Sequence, residues 1–289
     1  MNHKSREVEN SIGASSRPIA FASVWQSEML STIPGVAHGV TRRVEGLGRA
    51  HGNVGFSAPR DREDAWAMRQ RWCSALGLAP ESLVTLGQVH GSVVHVVAAA
   101  DAGRGGRPGS SQIGLGDALV TNEVGPVLMT LHADCQPILF VAPGSRRRGP
   151  AVGVAHAGWR GTVSDVVGST LSAMSMAFGT RPEDVQVCLG PAIGLCCYVV
   201  GDDVTNAWHE QVDSDTAAAV HRSCEGFRFS LSAANSFLLA RAGVRAENID
   251  VSAVCTRCNG EHWFSHRGQG QHTGRYWALV SILGDKVTG

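Results

Sequence analysis

The sequence predicts a single mixed α+β domain, and three observations support this fold class. Short apolar runs that suit buried strands alternate irregularly with amphipathic segments that suit helices, and no internal repeat is present. The hydrophobic share of 43% is sufficient for a substantial core. At 289 residues the chain exceeds the usual length of one domain, although larger single α/β domains are common. We therefore expect residues 19–289 to form one domain with mixed sheets rather than a doubly wound parallel sheet.

Predicted helices rest on apolar residues that recur with helical spacing. The segment from Thr162 to Phe178 carries the clearest apolar stripe, and Thr162 with Asp165 resembles a capping box at its start. The other predicted helices are residues 61–76, 202–212 and 232–242.

Predicted strands rest on short apolar runs that are bounded by turn residues. These runs are residues 83–86, 93–97, 117–121, 127–129, 138–141, 152–155, 185–189 and 276–282. Between the second and the third of them, residues 101–116 are rich in glycine and predict a loop.

Charge and cysteine usage exclude several classes of partner and location. The formal net charge is +0, so nothing indicates electrostatic binding to nucleic acid or to a membrane surface. No apolar run approaches the roughly 18 residues that a membrane helix needs. Residues 1–18 are polar and without an apolar signal core, which predicts a disordered N-terminal leader. Because the eight cysteines are scattered and no signal peptide is present, we expect reduced thiols and a cytoplasmic location.

Polar residues interrupt the apolar runs at three places and suggest a shared metal site. His90 follows one predicted strand, Cys135 lies between two apolar runs, and His156 follows a third. Buried polar groups must be paired, metal-bound or catalytic. Two imidazoles and one thiolate suit catalytic zinc, which commonly takes three protein ligands and leaves a fourth position for water. The sequence therefore predicts zinc at His90, Cys135 and His156, with Asp134 orienting a ligand or carrying a proton.

Other interpretations of the same residue types remain open. Cys135 could be a small buried hydrophobic residue, or a thiol nucleophile that uses a histidine as its base. Cys255, Cys258, His262 and His266 could form a zinc knuckle, although the short gap between the cysteines and the first histidine leaves little room. None of the 12 histidines belongs to a His-x-His pair, which argues against a four-copper laccase site.

The turn that contains Arg160 is a candidate anion site. It lies between a predicted strand and the start of the clearest helix, where free backbone donors and the helix dipole favour negative charge. Arg160 offers a bidentate fork for phosphate or carboxylate. The alternative is an ordinary strand-to-helix turn with its arginine in solvent.

Several ordered motifs resemble those of the YfiH family, also called the laccase-domain, polyphenol oxidase or FAMIN-like family. The motifs are Gln88–Gly91, Asp117–Thr121, Ala133–Pro137, Ala155–Gly161 and Gly190–Tyr198. C-terminal segments fit as well, namely Cys255–Thr256, Phe264–Arg267 and Thr273–Arg275. The resemblance covers roughly residues 35–285.

The resemblance implies a fold, a cofactor and a chemistry. The fold would be a four-layer α/β/β/α domain, likened to cytotoxic necrotising factor. The cofactor would be zinc at the positions of His90, Cys135 and His156. The chemistry would be phosphorolysis of adenosine, inosine, guanosine and S-methyl-5′-thioadenosine, together with hydrolytic deamination of adenosine. Purine nucleosides and phosphate are therefore the expected partners.

The resemblance also implies roles for individual residues. The family's substrate-site arginine falls on Arg69, and Asp134 and Arg160 fall on further site positions. We include Asn53 among the candidate substrate-binding residues. Asp134, Cys135 and Arg160 are the catalytic candidates, and Arg69, Asn53 and Arg160 are the substrate-binding candidates.

Three rival functions remain open from the sequence. The first is a Cys135/His156 hydrolase that edits peptidoglycan precursors, a role that the resemblance also implies. The second is a copper-dependent polyphenol oxidase, with copper in place of zinc. The third is a non-catalytic module that senses nucleosides through the same pocket.

Overall fold

Two large mixed sheets organise the protein, which was analysed as a computed structural model. The structure describes residues 24–144, 149–212, 219–224 and 226–284. The predicted leader, residues 1–18, lies outside these ranges. In the part of the chain that is described, no helix is both long and apolar enough to cross a membrane.

The first sheet has four strands in the order β1-β13-β5-β2, in which only β2 and β5 run parallel to each other. Its strands are β1 (Val36–Val40), β2 (Leu83–Val84), β5 (Val127–His132) and β13 (Tyr276–Ile282). The second sheet has six strands in the order β12-β8-β6-β7-β4-β3, with parallel pairs at its two edges and antiparallel pairs between them. Its strands are β3 (Val94–Val96), β4 (Ala118–Thr121), β6 (Gln136–Ala142), β7 (Ala151–Ala157), β8 (Gln186–Leu189) and β12 (Ile249–Val251).

A small antiparallel sheet and the helices complete the described chain. The small sheet has the order β10-β11-β9, and its strands are β9 (Val199–Val200), β10 (Val220–Ser223) and β11 (Gly226–Phe229). The helices are α1 (Glu28–Ser31), α2 (Arg62–Ala75), α3 (Trp159–Val163), α4 (Val166–Phe178), α5 (Asp202–Gln211), α6 (Leu231–Arg241) and α7 (His266–Gln269).

Side chains that alternate along the strands separate the structure into layers. In β13, Ala278 and Val280 pack between the two sheets, whereas Trp277 and Leu279 pack on the opposite face against α2. The far face of the second sheet is covered by α4, which packs on β7, β4 and β3, and by α6, which packs on β8. The layers are therefore helix, sheet, sheet and helix, as the resemblance implied.

The structure corrects one predicted helix. Residues 162–178 do not form one helix, because α3 and α4 are separated at Ser164 and Asp165. Asp165 has a left-handed backbone with φ of 55°, and its side chain accepts a hydrogen bond from the backbone N–H of Gly168. Asp165 is therefore the N-cap of α4 rather than the second half of a capping box at Thr162.

Candidate active site

His90, Cys135 and His156 meet at one end of the two-sheet core. Their ligand atoms, two ring nitrogens and one thiol sulfur, all lie within 4.8 Å of one another. His90 lies on the loop after β2 with a left-handed φ of 61°, Cys135 lies in the turn between β5 and β6, and His156 is near the end of β7. The structure thus brings together residues that are far apart in the sequence, as their chemistry predicted.

Asp117 holds this arrangement from behind. Its carboxylate accepts a hydrogen bond of 2.9 Å from Nδ1 of His156 and three from the backbone N–H groups of Val89, His90 and Gly91, at 3.2, 3.0 and 2.7 Å. The residue is fully buried at the start of β4. One carboxylate therefore fixes the ring of one candidate ligand and the loop that carries another.

Cys135 and His156 each shift the pKa of the other toward the ionised form. Burial alone would raise the pKa of the Cys135 thiol, but His156 and His90 outweigh burial and lower it to about 6. Burial would likewise lower the pKa of His156, yet Cys135 and Asp117 raise it to about 9. A thiolate beside an imidazolium is consequently the favoured charge state near neutral pH.

Gly158 leaves room for Cys135 and His90 to lie close together. A Cβ atom placed there would lie 3.0 Å from Sγ of Cys135 and 3.0 Å from Cδ2 of His90. At Gly161, a Cβ atom would lie 3.1 Å from the carbonyl oxygen of Gly91. Close packing against the His90 loop therefore explains the glycines on both sides of Arg160.

Asp134 faces the same space but is held by different partners. Its backbone has a φ of 89°, and its two carboxylate oxygens accept hydrogen bonds from Thr256 Oγ1 at 2.7 Å and from the backbone N–H of Arg267 at 2.6 Å. Two donors directed at the two oxygens fix the orientation of the carboxylate. The structure thus links Asp134 to the C-terminal segment, which the sequence analysis did not foresee.

A cavity of ≈ 600 Å³ opens beside these residues. Such a volume is within the range of roughly 300–1,000 Å³ that small-molecule sites occupy. Residues from both sheets and from the C-terminal segment line it, among them His90, Asp134, Cys135, His156, Gln88, Gln112, Tyr198, Arg60, His266, Arg267 and Arg275. The candidate metal centre is therefore accessible to a ligand of nucleoside size.

Arg60 and Arg275 place two positive charges in the wall of the cavity. Nε of Arg60 and Nη1 of Arg275 donate to the same acceptor, the carbonyl oxygen of Thr273, at 2.9 and 3.0 Å. Burial and the neighbouring charge of Arg60 lower the pKa of Arg275 to about 10, so both groups remain charged at neutral pH. Neither arginine forms an ion pair with a carboxylate within the described residues, so an anion would relieve their mutual repulsion.

The substrate-binding candidates Arg69 and Asn53 lie behind the cavity wall rather than in it. Arg69 is buried, donates to the carbonyl oxygens of Val54, Gly105 and Gly106 at 2.9, 3.3 and 2.9 Å, and stacks on Phe56. Asn53 is fully buried. Its side chain accepts from the backbone N–H groups of Gly55 and Arg275 at 3.0 and 2.8 Å and donates to the carbonyl oxygen of Gly55 at 3.2 Å.

The remaining candidate, Arg160, is exposed and does not line the cavity. Its guanidinium group lies 4.3 Å from the centre of the Trp159 ring. Helix α3, which carries it, has only five residues. The binding or catalytic roles expected for Arg69, Asn53 and Arg160 stay predictions, and the arginines that line the cavity are Arg60, Arg267 and Arg275.

Sequence reasoning missed several residues that shape the site. Asp117 was placed in a strand and in a family motif but given no role, although an acidic residue directly before a buried strand was the available signal. His132 is buried beside the centre, and its ring nitrogens lie 2.8 Å from Thr130 Oγ1 and 3.2 Å from the carbonyl oxygen of Cys135. Burial and the charge of His156 lower the pKa of His132 well below its ordinary value, which keeps this ring neutral.

The structure does not assemble the zinc knuckle that was considered from the sequence. Cys255 and Cys258 lie with Cys196 and Cys197 rather than with the two histidines. His262 is exposed and 3.5 Å from Glu261, and His266 lines the cavity. The spacing of Cys255 and Cys258 therefore identified two members of a cysteine cluster but not the other two, Cys196 and Cys197.

The donor set of His90, Cys135 and His156 fits zinc. Imidazole nitrogen and thiolate sulfur are common zinc ligands, and catalytic sites typically use three of them. The hydrogen bond from His156 Nδ1 to Asp117 leaves the other ring nitrogen for a metal, as in most histidine ligands. The lowered pKa of Cys135 supplies the deprotonated sulfur that a metal requires.

Comparison with known proteins gives the family. The family model described as "Multi-copper polyphenol oxidoreductase laccase" matches residues 37–283. The chain is 35% identical over 229 residues to a protein named purine nucleoside phosphorylase YlmD from Geobacillus stearothermophilus. This match covers 79% of this chain and 82% of the relative.

Two solved structures have the same fold. The crystal structure of YlmD from Geobacillus stearothermophilus has a TM-score of 0.81 at 33% identity, and the match covers 87% of this chain and 93% of that chain. The Bacillus licheniformis hypothetical protein YfiH has a TM-score of 0.82 at 29% identity, and the match covers 92% and 97% of the two chains. Together with the clustered His90, Cys135 and His156, these matches show that the chain belongs to the laccase-domain family of YlmD and YfiH.

Proposed function

We propose that this protein is a zinc-dependent purine nucleoside phosphorylase. One observation carries the proposal: a cavity of ≈ 600 Å³ is lined both by the zinc-compatible centre and by Arg60 and Arg275, neither of which forms an ion pair within the described residues. The name of the relative from Geobacillus stearothermophilus, a purine nucleoside phosphorylase, supports the same chemistry. A nucleoside and a phosphate ion are a pair of substrates that such a cavity could hold together.

Phosphate would bind at Arg60 and Arg275. Nη1 of Arg275 is used on the carbonyl oxygens of Thr273 and Gly274, and no acceptor among the described residues is bonded to its Nε and Nη2. A guanidinium group has five donors in a fork that matches phosphate oxygens. Nucleoside cleavage develops positive charge on the sugar, so an anion held beside it lowers the barrier. The two arginines would therefore both bind phosphate and fix its position for attack on the anomeric carbon.

Asp134 would position the nucleoside. Its two oxygens already accept from Thr256 and from the backbone of Arg267, which leaves further lone pairs directed at the cavity. We assign it the role of acceptor for a donor group on the base or ribose, in place of the proton donation expected from the sequence, because both of its oxygens act as acceptors here. Tyr198 lines the same cavity and supplies an aromatic surface for the base.

Zinc would be held by His90, Cys135 and His156 and would act as a Lewis acid toward an oxygen or nitrogen of the substrate. Asp117 would keep His156 in the tautomer that leaves its second nitrogen for the metal. We include adenosine, inosine, guanosine and S-methyl-5′-thioadenosine as substrates and adenosine deamination as a second activity. The eight cysteines, all free thiols, support a cytoplasmic location.

The test is product analysis with and without phosphate. Protein purified without added metal would be incubated with phosphate and inosine or adenosine, and free base and ribose 1-phosphate would be quantified. The proposal expects both products in equal amounts, no base without phosphate, and a loss of turnover after chelation. Inosine formed from adenosine without phosphate would show the deaminase activity. Nucleoside binding without any product would support the sensor function instead.

Copper-dependent phenol oxidation, which the description of the matching family suggests, has less support from the side chains. In the described residues, only two groups of three or more potential ligands lie close together, and neither contains more than two histidines. Multicopper oxidation needs several coppers with histidine-rich ligand sets, and no His-x-His pair occurs in the chain. Metal analysis that finds copper rather than zinc at this centre would reverse the assignment.

A cysteine hydrolase is the second candidate because Cys135, His156 and Asp117 have the order of a catalytic triad. Cys135 and His156 form an ion pair, and Asp117 holds the far side of the imidazole at 2.9 Å. The same three side chains thus suit either a metal ligand with its orienting carboxylate or a nucleophile with its base. Trapping of a covalent adduct on Cys135 separates the two functions.

A further inference from the structure

A second group of potential ligands lies beside residues that line the cavity, away from the candidate zinc centre. Four thiols, from Cys196, Cys197, Cys255 and Cys258, all have their sulfur atoms within 4.8 Å of one another. The sulfur of Cys258 is 3.5 Å from that of Cys196 and 3.4 Å from that of Cys197. The set is called the four-cysteine cluster below, and it plays no part in the proposed reaction.

We infer that the four-cysteine cluster is a structural metal site that binds one zinc ion through four thiolates. With zinc–sulfur bonds of about 2.3 Å, a tetrahedral site places its sulfurs about 3.8 Å apart. The two sulfur–sulfur distances to Cys258, 3.5 and 3.4 Å, are slightly shorter than that value, and all four sulfurs lie within 4.8 Å of one another. Side-chain adjustment alone would therefore close the site. Four sulfur ligands in tetrahedral arrangement are typical of zinc or iron–sulfur sites, and closed four-ligand zinc sites are structural. This inference does not depend on the proposed function.

Backbone groups around Cys255 are arranged as metal-bound thiolates require. The N–H of Gly194 donates to Sγ of Cys255 at 3.2 Å, and the N–H of Cys258 donates to the same sulfur. Hydrogen bonds of this kind stabilise the thiolate form and orient the ligand. A Cβ atom at Gly194 would come within 3.3 Å of Sγ of Cys196 and 3.4 Å of Sγ of Cys255, so a side chain there would enter the site.

Two arginines offset the charge that four thiolates around zinc would carry. Arg228 donates to the carbonyl oxygens of Leu195 and Cys196, and Arg257 donates to that of Cys197 at 3.3 Å. Both guanidinium groups are therefore hydrogen-bonded to the backbone of the segment that carries Cys196 and Cys197. Their positive charge would offset part of the negative charge of four thiolates once a metal is bound.

The site would join two segments that build the cavity wall. Ile193 and Tyr198, which flank the first cysteine pair, line the cavity. Thr256, which lies between the second pair, donates to Asp134. A metal here would hold these side chains in place without touching the substrate. Its loss is expected to weaken substrate binding more than the catalytic step.

Metal counting on matched variants tests the inference. The wild-type chain, purified under reducing conditions from zinc-supplemented cells, is expected to carry about two zinc ions. Cys196→Ser with Cys258→Ser should remove one of them, and His90→Ala with His156→Ala should remove the other. Cys224→Ser changes an exposed cysteine outside both groups and should retain both ions. A cysteine double variant that keeps the full zinc content would overturn the inference.

Alkylation of the wild-type chain keeps the test decisive if the double variant does not fold. With zinc present, iodoacetamide should spare the exposed Cys196 and Cys258 while it labels the equally exposed Cys224. After chelation under reducing conditions, all three should be labelled at comparable rates. Equal labelling before and after chelation would show that no metal is bound. Labelling that requires a reductant but no chelator would show disulfides instead, and either result excludes the site.

Discussion

Nδ1 of His156 lies 2.9 Å from Oδ1 of Asp117, and the same carboxylate accepts three backbone N–H groups from the loop that carries His90. Asp117 thereby joins two of the three candidate zinc ligands, although it contacts neither the cavity nor the third. The preorganisation of the centre depends on this residue as much as on the ligands themselves.

The variant Asp117→Asn is expected to weaken zinc binding by about 10–100-fold, as loss of an outer-shell partner commonly does. An amide has one acceptor oxygen, whereas the carboxylate uses both of its oxygens on four donors. Competition with a chromophoric chelator measures the affinity. Asp184→Asn, at an exposed ion pair far from the site, is the control and should bind zinc normally. Unchanged affinity in Asp117→Asn would show that the carboxylate only stabilises the fold.

The second prediction compares the cavity arginines with Arg160. Arg275→Met and Arg60→Met are each expected to raise the KM for phosphate by about tenfold or more, because a hydrogen bond to a charged group contributes about 1.5–3 kcal/mol. Arg160→Met should have a much smaller effect, since Arg160 is exposed, stacks on Trp159 and does not line the cavity. Steady-state kinetics at varied phosphate measure the difference. The opposite ranking would restore Arg160 as the phosphate ligand that the sequence suggested.

The third prediction tests whether Arg69 has a structural role or binds substrate. Its guanidinium group donates to three backbone carbonyl oxygens and connects helix α2 to Gly105 and Gly106 of the glycine-rich segment. Arg69→Met should lower the free energy of unfolding by about 1–3 kcal/mol, because buried acceptors lose their partner. Denaturant unfolding measures this, with the exposed Arg62→Met on the same helix as control. A raised nucleoside KM with unchanged stability would instead support the substrate role.

The cluster of three candidate ligands and the fold that carries it were predictable from the sequence to different extents. His90, Cys135 and His156 were singled out because each interrupts an apolar run, and burial forces such groups to find partners. The strands were located because short apolar runs are local signals, as in β13, where every residue is buried. Local patterns also predicted a mixed sheet, although the order of its strands became known only from the structure.

Contacts between residues far apart in the chain were not predicted, even where the residues themselves were singled out. Asp134 is held by Thr256, which lies 122 positions later in the chain, and the Cys196–Cys258 pair is 62 positions apart. No periodicity or short motif encodes such contacts. The break at Asp165 was missed for another reason. A left-handed residue inside an apolar stripe leaves the helical spacing almost unchanged. Arg160 was favoured because a turn before a helix resembles an anion site, yet the glycines there serve packing.

The charge state of the metal-free centre gives a pH prediction. The pKa of Cys135 is lowered from 9.0 to about 6, so its contribution to stability is fully present above 9.0 and is lost as pH falls through about 6. The pKa of His156 is raised from 6.5 to about 9, so its contribution is fully present below 6.5 and is lost as pH rises through about 9. The ion pair is thus populated between these limits.

In chelator-treated protein, the Cys135 thiolate should therefore appear as pH rises through about 6 rather than through 9.0. The ultraviolet thiolate absorbance of wild type minus that of Cys135→Ser, titrated across about pH 5–10, measures it. In a His156→Ala background the midpoint should move to higher pH, because the imidazolium that favours the thiolate is gone. A midpoint near 9.0 in wild type would mean that the thiol and the imidazole remain neutral at neutral pH.

Substitution of Cys135 by other zinc ligands distinguishes a metal ligand from a nucleophile. A thiolate serves both roles, so alkylation alone does not discriminate between them. If Cys135 only holds zinc, Cys135→Asp and Cys135→His should keep part of the metal and part of the turnover, since carboxylate and imidazole also bind zinc. Turnover should then follow zinc content across these variants and those of His90 and His156. Cys135→Ser is the control with a poorer ligand of nearly the same size.

A nucleophilic Cys135 would behave differently in every one of these measurements. Both Cys135→Asp and Cys135→His would abolish turnover even when zinc is retained, because neither side chain replaces the attacking sulfur. A slow substrate would also leave a covalent adduct, visible as a mass increase of the intact protein and mapped to Cys135 by peptide analysis. We expect no adduct and a parallel loss of zinc and activity. An adduct on Cys135 in metal-free, active protein would establish the triad of Cys135, His156 and Asp117 as the catalytic centre and refute the zinc assignment.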